Sequence, residues 1–128
     1  MSLADNKIMA FAAATDAEAA VDFYENKLGL KLVEDSPFAL VFDAGGTMLR
    51  VQKVQVASPP QFTVLGWEVD DIAAKIKELM ERGVEFNHYG MEFPRQDELG
   101  IWTTPDGAKV AWFKDPDGNT LSLTQFNS

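Results

Sequence analysis

Beyond its carboxylates the chain carries few residues able to do acid–base or metal chemistry. It has one histidine, His88, and no cysteine. A two-histidine metal site, a thiolate nucleophile and a disulfide are therefore all excluded within one chain. The segment "HYGME" (88–92) sets Glu92 one helical turn after His88. That spacing would suit a metal on a helix, but Gly90 and Pro94 disfavour a helix there. No Gly-rich phosphate loop, Ser-His-Asp set or nucleophile elbow is present. General-base chemistry would have to rest on Glu68, His88 or an acidic loop residue. The remaining candidates suit recognition better than catalysis. Arg50 could clamp a carboxylate or phosphonate with its planar fork. It could equally pair with Glu68 or reach solvent. Tyr89, Phe93, Trp102 and Trp112 offer stacking surface for an aromatic ligand, although core or dimer packing is the commoner fate of such residues.

These residues must be positioned by a repeated plan. Residues 8–14, "IMAFAAA", read as a strand; their composition would also pass for a short signal h-region, but the run leads straight into a helix. Asp16 is an N-cap, Ala19, Ala20, Phe23 and Leu28 follow at helical spacing, and Gly29 is the stop. The same unit recurs from Asp71 to Gly83, preceded by a strand over 64–69, with Ile72, Ile76, Leu79 and Met80 on one helix face. A strand is expected after each helix, at 30–33 and 84–87. Further strands are expected at 38–43 and 47–54 in the first half, and at 100–104, 108–114 and 119–125 in the second. The turn "DAGG" (43–46) has a twin in "DPDG" (115–118), which aligns Asp43 with Asp115, Gly46 with Gly118 and Arg50 with Ser122. The second copy is longer, and its surplus is expected in residues 87–106, around His88, Tyr89, Met91, Phe93 and Trp102. The plan is two tandem βαβββ modules, 7–56 and 62–126, joined by a linker at 57–61 within one domain spanning 1–128.

Bulk composition bounds the function. Twenty acidic residues against 11 basic ones give a net charge of −9 over 128 residues. Nucleic acid and anionic membrane surfaces need a basic footprint, so neither is an expected partner. No apolar run approaches the length of a membrane span. The absence of cysteine is compatible with a reducing cytoplasm, the expected location.

The paired modules, "FYENKLGL" (23–30), "VDD" with "ERGVEF" (69–86), and "DPDGNTLSL" (115–123) together resemble the vicinal oxygen chelate superfamily, which includes glyoxalase I, bleomycin-resistance proteins and extradiol dioxygenases. The resemblance implies an α+β fold of curled mixed sheets around a cavity. It also implies a metal in the enzymatic members, held by His or Gln from each first strand and Glu from each last strand. The matching positions here are Met9 and Val64 (or Thr63), with Arg50 and Ser122. A thioether, an alkyl group, a guanidinium and a hydroxyl are poor ligands for a divalent cation. No metal and no other cofactor is therefore expected.

Strand alternation assigns what would line the cavity instead. Met9, Phe11 and Ala13 share a face, as do Met48, Arg50 and Gln52. In the second half Val64, Gly66 and Glu68 share one, as do Thr120, Ser122 and Thr124. Leu49, Val51, Leu65, Trp67, Val69, Leu121 and Leu123 point the other way, under the helices. The expected ligand-binding set is Met9, Phe11, Arg50, Gln52, Glu68, Trp102 and Ser122. Two functions compete. One is metal-free binding or sequestration of a small aromatic or anionic molecule, in the manner of the bleomycin-resistance branch. The other is an enzyme of the superfamily, lactoylglutathione-lyase-like or dioxygenase-like, with unusual metal ligands or an acid/base site. The open sheet edges of each module lead to the expectation of a homodimer.

Overall fold

In the computed structural model, which describes residues 3–90 and 95–127, Asp16 and Asp71 each start a helix by the same device. The Asp16 carboxylate accepts the Ala19 amide at 3.2 Å, and Asp71 accepts that of Ala74 at 3.1 Å. An N-cap carboxylate satisfies one of the amides a helix start leaves unpaired, and its charge suits that end of the dipole. The chain divides into two units, Met1–Ser58 and Pro59–Ser128.

Unit 1 begins with a 3₁₀ turn at Leu3–Asp5 and continues with β1 (Met9–Ala14), α1 (Ala17–Val21), β2 (Lys31–Asp35), β3 (Ala39–Ala44) and β4 (Thr47–Lys53). Its strands lie in the order β1-β4-β3-β2; β1 runs parallel to β4, and the other pairs are antiparallel. The apolar run at 8–14 is thus the outer strand of a mixed sheet. Leu40, Phe42, Leu49 and Val51 are buried on the core face. The expected first helix is not a single α-helix. After Val21 it widens into a π-helical segment, Asp22–Lys27, closed by the Leu28 amide on the Phe23 carbonyl at 2.9 Å. The wider turn reduces the angle between successive side chains. Phe23 and Tyr24 are neighbours in sequence, yet they are only 5% and 0% exposed. Their rings meet edge to face at 5.1 Å, and Tyr24 also packs on Phe42.

Unit 2 contains β5 (Thr63–Glu68), α2 (Ile72–Glu81), β6 (Trp102–Thr103), β7 (Lys109–Lys114) and β8 (Thr120–Gln125), in the sheet order β5-β8-β7-β6. Ile72, Ile76 and Leu79 are buried, as their spacing predicts. Met80 is not; it lies at the flank and is 51% exposed. The Gln125 side chain adds a long-range cap by accepting the Ile72 amide at 2.9 Å. Phe113 anchors the core between Phe86 and Trp67.

The strand expected at 84–87 is reduced to one bridge, Phe86 to Phe113, beside a 2.8 Å bond from the Asn87 amide to the Trp112 carbonyl. The expected strand at 100–104 shortens to Trp102–Thr103, which pairs with the same edge of β7. The insertion thus splits one outer strand into two short pieces, because the chain must leave the edge and return to it. Gln96 fastens the returning segment. Its amide donates to the Asn87 and Gly100 carbonyls at 2.8 and 2.7 Å, and its oxygen accepts the Tyr89 amide at 2.7 Å.

The twin turns share one left-handed glycine but differ in geometry: two left-handed residues, Gly45 and Gly46, connect Ala44 to Thr47, whereas five residues connect Lys114 to Thr120 and of these only Gly118 is left-handed. Gly46 and Gly118 sit at φ 93° and 89°, a region open to glycine and strained for other residues. Asp43 accepts the Gly46 amide at 2.8 Å from an exposed position. Asp115 does more. It is 7% exposed, accepts the Asp117 and Asn119 amides at 3.0 and 2.9 Å, and accepts the Asn119 side-chain amide at 2.8 Å.

Candidate functional site

Each sheet turns one face to its helix and leaves the other available. In unit 1 the register sets Met9 opposite Met48, Phe11 opposite Arg50 and Ala13 opposite Gln52, so the expected residues Met9, Phe11, Arg50 and Gln52 do share a face. Val41 and Asp43 of β3 join them. The face is open: Met9, Phe11 and Met48 are 42%, 51% and 43% exposed. A cavity of about 520 Å³ lies at one end, walled by Ile8, Met9, Val33, Val41 and Met48, with Lys7 and Asp43 as its charged groups. Phe11, Arg50 and Gln52 lie further along the same face. Within its unit the Arg50 side chain makes no hydrogen bond or ion pair with a described residue.

In unit 2 the corresponding face is built differently. Gly66 lies opposite Ser122 and Glu68 opposite Thr124. Ser122 in turn faces Trp112, and Thr120 faces Lys114. A Cβ added at Gly66 would stand 2.9 Å from the Ser122 hydroxyl oxygen, so glycine permits this close approach. Thr120 and Ser122 are both 7% exposed, whereas Glu68 at the strand end is exposed. Trp102 stacks on Trp112 at 6.1 Å and 23°, and Tyr89 meets Trp112 edge-on at 5.8 Å. A cavity of about 370 Å³ opens against Tyr89 and Trp112, with Lys114 and Thr120 beside them and the Pro59–Thr63 segment opposite. The Lys114 ammonium donates to the Thr120 hydroxyl at 2.9 Å.

The sequence reading did not include Lys114 in the site. The signal was present, since Val110, Trp112 and Lys114 alternate onto one face of β7. His88 lies in the insertion, its ring against Gly100. Met91, Glu92 and Phe93 lie outside the described residues, so the His88–Glu92 pairing and the roofing role of Phe93 do too.

Divalent-metal binding by the resemblance's ligand positions can be judged from the donors in place. In unit 1 the first and last strands present Met9 beside Met48 and Phe11 beside Arg50. In unit 2 they present Thr63 and Gly66 beside Thr120 and Ser122. Neither pair of strands supplies a carboxylate or imidazole at these positions, and a guanidinium repels a cation, so this donor set does not fit a divalent metal. Among the described residues no three His, Asp or Glu side chains converge as a metal-binding group. The arrangement suits non-covalent recognition: apolar and aromatic walls with a few polar groups that fix orientation.

This fold agrees with known proteins. The sequence matches the family model of the Glyoxalase/Bleomycin resistance protein/Dioxygenase superfamily over residues 7–123, and the chain belongs to that superfamily. Among solved structures it is similar to TnmS3, an antibiotic binding protein from Streptomyces sp. CB03234, with 26% identity and a TM-score of 0.73 over 99% of this chain and 100% of that one. A glyoxalase family protein from Enterococcus faecalis is 22% identical with a TM-score of 0.73, covering 96% of this chain and 99% of that one. Lactoylglutathione lyase from Agrobacterium tumefaciens is 22% identical with a TM-score of 0.67, covering 94% and 93%. No curated protein matches the chain closely in sequence. Among the described residues no helix is long and apolar enough to cross a membrane.

Proposed function

We propose that this protein binds and sequesters a small aromatic or anionic molecule without a metal ion, as a cytoplasmic homodimer. The observation that carries the reading is the unit 2 cavity, where Tyr89 and Trp112 form an aromatic wall beside the cationic Lys114. Aromatic faces supply area and shape at little entropic cost, and one charged group orients the ligand. The donors at the family's ligand positions support the metal-free part. The full-length similarity to an antibiotic binding protein supports the binding part. The similarity to a lyase, at 22% identity, speaks for the fold alone. The open face of unit 1, with Phe11 and Met48 about half exposed, supports a second copy as its cover.

Native mass spectrometry and elemental analysis of the purified protein test this directly. The expected result is a dimer mass, less than a tenth of an equivalent of Ni, Zn, Fe or Mn per chain, and no change in melting temperature with EDTA. A metal close to one per chain that raises the melting temperature would overturn the metal-free reading.

A further inference from the structure

Among the described residues Lys114 is the one cation lining the cavity beside Trp112 and Tyr89. Acidic residues outnumber basic ones in the chain, 20 to 11, and some lysines are taken up by carboxylates. Lys53 pairs with Asp35 at 2.5 Å, and Lys75 with Glu78 at 2.9 Å. Among the described residues the Lys114 ammonium pairs with none; its one side-chain hydrogen bond is to the neutral Thr120 hydroxyl. That bond holds the ammonium on the cavity face. A lysine ammonium has three donors, so two remain for another acceptor. Two residues before it on the same strand face stands Trp112, braced by Trp102 behind and Tyr89 at its edge. Trp112, Tyr89 and Lys114 all line the same cavity of about 370 Å³.

The combination discriminates between ligand charges. An aromatic wall alone would accept a cation through its ring faces, and the net charge of −9 would draw cations in. The Lys114 ammonium opposes that at short range. A neutral ring would gain stacking and leave the free donors to water. Only a ring with an acidic substituent uses both features, and the protein's overall charge then makes a local countercharge necessary.

Resting on the small-molecule reading above, we infer that the unit 2 cavity selects planar aromatic anions. The ring lies on Trp112 and Tyr89, and the carboxylate or phenolate accepts from Lys114. This is a narrower class than aromatic or anionic, and it assigns the anion to Lys114 rather than to Arg50.

Three probes with one ring system separate the possibilities: 2-naphthoate, 2-naphthylmethanol and 2-naphthylmethylammonium. Titration calorimetry with the full chain gives each Kd. The expected order is naphthoate tightest, at least tenfold over the alcohol, with the ammonium weakest. Lys114→Met should remove the preference for naphthoate over the alcohol, while Lys114→Arg should keep it. Trp112→Ala should weaken the acid and the alcohol alike. Added salt should shrink the preference, since a partly exposed charge pair is screened. If the acid and the alcohol bind equally, or if the preference disappears with Arg50→Met and survives Lys114→Met, the inference is overturned and the binding reading stands. If none of the three binds, the aromatic-binding reading itself falls.

Discussion

Unit 1 sets Phe11 opposite Arg50; the same slot of unit 2 sets Gly66 opposite Ser122. One slot holds two large side chains, with Phe11 half exposed. The other holds no side chain on one strand and a buried hydroxyl on the next. Yet the N-caps, the strand order and the parallel pairing are alike in both units. The shared features are those that start a helix and order the strands. The turns, the π-helical segment and the insertion set the units apart as well, but the side chains open to a ligand differ on the face that no helix covers. A fold of this kind tolerates almost any content there, so that face, and not the scaffold, carries the chemical identity of each unit.

The twin turn aspartates should separate most widely. Asp115→Ala removes a buried acceptor and strands the Asp117 and Asn119 amides, so it should destabilise by about 2–4 kcal/mol. Asp43→Ala, exposed with one amide partner, should lose about 1 kcal/mol or less. Urea titration of both variants gives the two values. Equal losses would mean that the units stabilise their turns alike.

The opposed slots come next. Gly66→Ala places a methyl group 2.9 Å from the Ser122 oxygen and should cost about 1–3 kcal/mol. In the Ser122→Ala background the clash is gone, so a double-mutant cycle should return a clear coupling energy. Phe11→Ala in the matching slot should show little effect on the stability of the single chain, where the ring is 51% exposed. An additive cycle at Gly66 and Ser122 would contradict the close approach.

The smallest expected effect is with acid. The Lys75 ammonium, hydrogen-bonded to Glu78 and adding its charge, holds that carboxyl below its ordinary value. The Thr104 hydroxyl and then the Ala108 amide do the same for Asp106. A lowered folded-state value adds stability above the unfolded-state value, and that stability is lost as pH falls through the folded one. Both groups are exposed, so the effect is small. The double variant Glu78→Gln/Asp106→Asn should lose less stability between pH 7 and pH 3 than the parent does. An identical loss would show that neither pairing contributes.

The repeat was legible because its signals are local. Asp16 and Asp71 cap, Gly46 and Gly118 turn, and strand alternation sorts Leu49 and Val51 from Met48 and Arg50 without any knowledge of distant partners. Non-local features were not legible. The π-helical segment reflects a demand to bury Phe23 and Tyr24 together, which helical spacing alone does not register. The strand expected at 84–87 depends on which edge of β7 the chain can reach after its insertion. Lys114 was passed over although strand alternation places it beside Trp112; what needed three dimensions was the return of Tyr89 and of the 59–63 segment to that same face. The pairing of Gly66 with Ser122 needed the register of two strands far apart in sequence.

The position of β8 has a consequence for synthesis. Unit 1 has all its strands once Lys53 has left the ribosome, so it can fold while the rest is still being made. Among the described strands of unit 2, the one between β5 and β7 is translated after the others. Until Gln125 emerges, β5 lacks its strand partner within the unit and α2 lacks the side chain that caps its first amide. At cellular elongation rates that wait is on the order of seconds. During it the edges of β5 and β7 are open to the wrong strand, including that of a neighbouring nascent chain. A chain cut short before β8 would keep one half with all its strands and one that cannot complete its sheet, a form that chaperones and proteases would meet first.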